Sequence, residues 1–118
     1  NLKLQKLLYF VQAQFLIGEN HACFYNRIEA WDLGPVVPDV YHHFKMYGSN
    51  PIILWKEGNF GVSAHDREII NIIVNDCNEY TASQLVELTH QQTPWIQAKE
   101  KGYNEQITND SIKEFFDL

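Results

Sequence analysis

The sequence has little of what marks the common functional classes. It holds two cysteines, Cys23 and Cys77, too few for the disulfide framework of a secreted domain. They form no C-x-x-C pair, so a zinc site of the usual spacing is absent, and they read as small buried hydrophobes. No apolar run reaches the ~18 residues that a membrane-spanning helix needs. No secretory signal opens the chain, and cytoplasmic residence is expected. The first residue is Asn1 rather than Met, so a native N-terminal segment is expected to be missing. Basic residues are scarce: nine Lys and Arg against fifteen Asp and Glu leave a net charge of −6. That balance argues against direct nucleic-acid binding, which leaves a basic footprint, and suits a basic protein partner. The strings G-x-x-x-x-G-K-[ST], G-x-G-x-x-G and G-x-S-x-G are all missing, and with them the phosphate-cradling and hydrolase signatures. No repeat, linker or low-complexity run divides the chain.

What is present is helical. The 118 residues suit one domain spanning 1–118, and 45% apolar content suits a globular core. Leu4, Leu8, Val11 and Phe15 recur at helical spacing, and Leu7, Phe10 and Ile17 widen the stripe. This predicts a central helix over 2–17, capped by Asn1 and ended by a left-handed Gly18. Ile28 to Trp31 alternates as a short strand does. Pro38 suits the first turn of a helix whose face carries Val37, Val40, Tyr41, Phe44 and Tyr47 and which stops at Gly48. Ile52–Trp55 and Phe60–Val62 suggest a small hairpin about Gly58-Asn59, or a loop with partial pairing. Ser63 to Asp66 and Thr81 to Gln84 have capping-box spacing. The first opens a stripe from Ile69 to Tyr80, and the second a short helix with Leu85 and Leu88 inward. Thr93-Pro94-Trp95 starts a further helix closed by Gly102, and Asn109-Asp110 caps a last one with Ile112, Phe115 and Phe116. The reading is mainly α: one compact domain of five or six helices with a minor β element.

Candidates for chemistry are few. Asp39, His42 and His43 are the most metal-like group, since positions three and four apart on a helix share a face. A metal-dependent hydrolase built on them is the enzyme reading. Against it, a site needs three or four ligands, and Val40, Tyr41 and Phe44 claim the inward face, which sends the histidines to solvent. Glu87 and His90 form a weaker pair, and His21 and His65 fall at loop or cap positions. No cofactor or metal is expected. Aromatic residues make up 14% of the chain. Trp31, Trp55 and Trp95 fall near loops or element ends, where an aromatic serves either packing or a binding surface. Trp31 to Pro38 is stiffened by prolines, which suits a recognition edge and a rigid structural corner equally.

Four strings carry a resemblance. They are Lys3-Leu-Gln-Lys-Leu-Leu-Tyr-Phe10, Ile28-Glu-Ala-Trp-Asp-Leu-Gly-Pro-Val-Val-Pro-Asp-Val-Tyr41, Phe44-Lys-x-Tyr-Gly48 and Leu88-Thr-His-Gln-Gln-Thr-Pro-Trp95. In this order they resemble the Panacea domain, the SocA-like antitoxin family that includes phage-associated and genetic-element proteins. The resemblance runs from residue 2 to about residue 98. It implies a mainly α fold, no catalytic residues, and a role as the antitoxin of a bacterial or phage type II toxin–antitoxin pair. The implied partner is a cognate toxin protein. In one branch of the family the antitoxin is an adaptor that delivers its toxin to the ClpXP protease. Trp31, Gly34, Pro35, Val36, Pro38 and Tyr41, with Pro94 and Trp95, are then the candidate toxin-binding or motif residues. Such residues hold a fold as readily as they bind a partner.

Overall fold

In a computed structural model, residues 1–48 and 62–117 are described. The predicted first helix forms as α1, Leu2–Gln14, and continues into a wider π turn over Phe15–Glu19. Gly18 does not end it. The left-handed residue is Asn20, at φ 60°, a type that tolerates this conformation. α1 is central, as the width of its stripe implied, but its buried surface is not that stripe alone. Val11 and Phe15 are buried and Leu4 and Leu8 half-buried, while Gln5, Lys6, Tyr9 and Gln12 are buried on another flank.

Strand β1, Ile28–Trp31, lies in the middle of a three-stranded antiparallel sheet of order β2-β1-β3. β2, Gly34–Val36, pairs back across a two-residue turn at Asp32-Leu33, with Trp31 opposite Gly34. β3, Gln106–Ile107, sets Ile107 opposite Ile28 and was not foreseen. The hairpin suggested over 52–62 falls outside the described residues, apart from Val62, which precedes α3.

The helices follow their sequence signals with small shifts. α2, Pro38–Phe44, has its proline in the first turn and runs through a tighter turn over Lys45–Tyr47 to Gly48, at φ 53°. α3 is Ala64–Cys77, and the Ser63 hydroxyl accepts from Asp66 N at 3.1 Å. α4, Ala82–His90, has both halves of its capping box, Gln84 N to Thr81 Oγ1 at 3.1 Å and Thr81 N to Gln84 Oε1 at 2.8 Å. Leu85 points inward as expected, but Leu88 is 42% exposed. Thr89 takes the inward position instead, fully buried with its Oγ1 close against Gly34 of β2. α5, Thr93–Lys101, is preceded by Gln92 rather than capped by Thr93. α6, Asn109–Phe116, is capped by Thr108, whose hydroxyl accepts from Ser111 N, and not by Asn109-Asp110.

Among the described residues there are six α-helices around this small sheet. The core gathers where α1, the sheet, α5 and α6 meet: Tyr9, Ala13 and Leu16, then Ile28, Ala30 and Val37, then Ala98, Ile107 and Ile112. Tyr9, Phe10 and Phe116 close it with edge-on ring contacts, between 5.2 and 6.3 Å apart.

Candidate interaction surface

The surface begins with the polar flank of α1. Four of its side chains lie near one stripe and hold three separate loops. Gln5 Oε1 accepts from Val37 N at 2.9 Å. Lys6 Nζ donates to Pro35 O at 2.8 Å, with both groups buried. The Tyr9 hydroxyl donates to Gln92 Oε1 at 2.8 Å. Gln12 accepts from Cys23 N and Phe24 N and donates to Phe24 O. A buried polar group costs free energy unless it is bonded, so each partner here is a structural requirement. Burial pushes the Lys6 ammonium down to about 8 and the Tyr9 phenol up.

The β1–β2 hairpin is seated on that flank. Gly34 sits at φ 103°, and a Cβ there would lie 2.7 Å from Thr89 Oγ1 and 2.8 Å from Lys6 Cε. Glycine is the residue that meets both conditions. Lys6 and Thr89 thus clamp the same backbone from α1 and α4.

The tip of the hairpin is tied to the α4–α5 corner. Trp95 Nε1 donates to Trp31 O at 2.8 Å. His90 Nε2 lies 2.9 Å from Asp32 O, and a carbonyl partner makes that nitrogen the donor. The His90 and Trp95 rings are 4.2 Å apart. Lys99 Nζ reaches Asp32 Oδ1 at 2.6 Å. On the other side, Trp31 meets Tyr41 edge-on at 5.0 Å, and its own Nε1 donates to Glu29 Oε1 at 3.0 Å.

The eight motif residues therefore divide by accessibility. Gly34, Pro35, Val36 and Pro94 are buried, and Trp31, Pro38, Tyr41 and Trp95 are half-buried. The two motif segments, far apart in sequence, meet through the Trp95–Trp31 bond. Beside them lies a groove of about 760 Å³, whose walls include Trp31, Leu33, Tyr41, Tyr103, Lys3 and Lys45. Leu33 is 56% and Tyr103 83% exposed. Neither was a sequence candidate. The available signal at Leu33 was a large apolar residue in a two-residue turn, where Asn or Gly is usual.

The Asp39–His42–His43 group does not assemble. Asp39 accepts from Asn26 Nδ2 at 2.9 Å, exposed His42 stands against Tyr41 and Trp31, and exposed His43 meets Phe44 edge-on. Among the described residues, the three donors that do come within 4.8 Å of one another are those of Glu19, His65 and Asp66. His65 pairs there with Glu19, which together with Asp66 holds the imidazole above its usual range. Exposed acidic groups are common without an ion, so no metal chemistry is assigned to this one.

None of the described helices is long and apolar enough to cross a membrane. Comparison with known proteins agrees with the motif strings. The family model described as antitoxin SocA-like, Panacea domain, matches residues 4–96. Antitoxin SocA of Caulobacter vibrioides (strain NA1000 / CB15N) is 35% identical over 107 residues, an alignment covering 80% of this chain and 57% of the relative. The chain therefore spans somewhat more than half the length of that curated relative. No solved structure matches. With its family strings forming the α1 flank, the hairpin seated on it and the α5 corner, this chain belongs to the SocA-like antitoxin family of Panacea-domain proteins.

Proposed function

We propose that this protein is the antitoxin of a bacterial or phage type II toxin–antitoxin pair and neutralises a cognate protein toxin by direct binding. It acts in the cytoplasm and catalyses no reaction. The contact face is the hairpin tip with the α2 and α5 residues around it: Trp31 and Tyr41, the exposed Leu33, and the Pro94-Trp95 corner behind them. The observation that carries this reading is the bonding of that tip. Trp31 O, Asp32 O and the Asp32 carboxylate are each held by a side chain from α4 or α5. Aromatic anchors on such a held backbone lose little further entropy when a partner arrives, and they are typical of interface hot spots.

The test is growth of cells expressing the small gene next to this one, with and without this protein. Toxicity alone and rescue together support the reading. A harmless neighbour, or a toxic one that is not rescued, contradicts it. Sequestration is the mechanism proposed, so the toxin's half-life is expected to be the same with and without ClpX. A half-life that lengthens when ClpX is removed makes the protein an adaptor for proteolysis instead.

A further inference from the structure

The groove beside the hairpin has the opposite charge to the molecule. The chain carries a net charge of −6 and only nine basic residues. Two of these, Lys3 and Lys45, line the groove. Among the described residues neither has an ion-pair partner. The acid that also lines it, Asp32, is engaged by Lys99 at 2.6 Å and so is already neutralised. The remaining walls are largely apolar: Trp31, Leu33, Tyr41 and Tyr103.

We propose that this groove takes an extended acidic segment of the toxin, one that sets a large apolar side chain beside one or two carboxylates. The inference rests on the antitoxin reading and specifies the partner's chemistry at that face. The apolar side chain would be withdrawn from water between Leu33 and Tyr103, which are exposed in the free protein. The carboxylates would meet Lys3 and Lys45 where the walls exclude part of the solvent, so the attraction is screened less than on an open surface. A basic segment would face two ammonium groups that have no ion-pair partner among the described residues, and would find the Asp32 carboxylate already taken by Lys99. Whatever the toxin's overall charge, the segment seated here is acidic. A volume of about 760 Å³ is in the range that encloses a few side chains.

The test is carbodiimide coupling in the purified complex with the neighbouring gene's product. This reagent joins a lysine amine to a carboxylate it touches, as an amide with loss of water, and mass spectrometry locates the link. The expected result is links from Lys3 or Lys45 to Asp, Glu or the terminal carboxylate in one apolar-containing stretch of the toxin. The double variant Lys3→Glu with Lys45→Glu should bind about tenfold more weakly, with less dependence on salt, while the arginine double variant retains affinity. Lys45 is exposed and Lys3 half-buried, so the helical signal and urea midpoint of the glutamate variant are checked against wild type, and Lys45→Glu alone should still weaken binding severalfold. A complex whose links avoid both lysines, or whose affinity is unchanged by the double glutamate variant, overturns the groove assignment and leaves the antitoxin reading intact. Links between two copies of this chain would assign the groove to self-association and overturn it as well. Failure to form any complex overturns both.

Discussion

The two flanks of α1 are held by different physics. Toward α3 the surfaces are mostly apolar: Phe10, Ala13 and Ile17 of the first helix and Ile73 and Cys77 of α3 line one cleft, with Gln14 and Asp76 as its polar members. α3 is an ordinary amphipathic helix there, with Ile69, Ile70, Ile73 and Val74 half-buried and Ile72 52% exposed. Such a face needs apolar residues of about the right size, and many would serve. Toward the hairpin and the α4–α5 corner the contact is a set of hydrogen bonds: Gln5 accepts from Val37 N, Lys6 donates to Pro35 O and Tyr9 donates to Gln92 Oε1. There the identity of each residue is fixed, because a wrong one leaves a buried group without its partner. The difference separates residues that specify geometry from residues that supply burial. It also gives half of the motif a role beneath the surface: Gly34, Pro35, Val36 and Pro94 support the face that Trp31, Leu33 and Tyr41 present.

The two flanks should differ most at Gly34. Gly34→Ala places a Cβ against Thr89 and Lys6 in a positive-φ conformation. A loss of about 3 kcal/mol or more is expected in urea unfolding. Ile73→Val in the α3 contact should cost about 1 kcal/mol or less. Equal losses at the two sites would remove the distinction.

Lys6 comes next, through pH. Its ammonium is fully buried, and its pKa falls from 10.5 unfolded to about 8 folded. Between these values the folded chain binds fewer protons than the unfolded one, so stability rises with pH. Below pH 8 both forms are protonated and the contribution is constant. From pH 8 to 9.5 the Lys6 contribution should grow by about 1.5 kcal/mol, partly offset near the upper end by Cys23 and Cys77, whose thiols burial pushes up. Above pH 10 the raised Tyr9 phenol acts in the opposite direction, because the unfolded chain then loses a proton that the folded chain keeps. Unfolding free energies measured at pH 7, 8 and 9.5 should be flat and then rise, and Lys6→Met should abolish the rise. A rise that persists in Lys6→Met would place its origin elsewhere.

Tyr9→Phe is the smaller probe. It keeps the ring in the core and leaves Gln92 Oε1 without its donor. The expected loss is about 1–2 kcal/mol, visible as a lower denaturant midpoint with an unchanged slope.

The sequence made the apolar helices, the proline start at Pro38, the cap at Thr81 and strand β1 legible, because each has a periodic or local chemical signal. β3 has two residues, too few for any period. The end of α1 moved from Gly18 to Asn20 because the helix widens into a π turn, which no local residue announces. The polar flank was hidden for a different reason. Gln5, Lys6 and Gln12 belong to types that usually face water, and only their distant partners make them core residues. The candidate site was half legible. The motif strings led to the hairpin and to the Trp95 corner. Leu33 and Tyr103 became candidates only when the turn and the loop after α5 placed them around one groove, and Lys3 and Lys45 only when α1 and the turn after α2 placed both along it.

The proposed function makes the hairpin tip a binding face and not merely a corner of the fold. Leu33→Asp tests it most directly, since Leu33 lies at the tip and is exposed. The variant should keep the wild-type urea midpoint and fail to rescue cells expressing the neighbouring gene's product. Full rescue by a folded Leu33→Asp protein would contradict the claim.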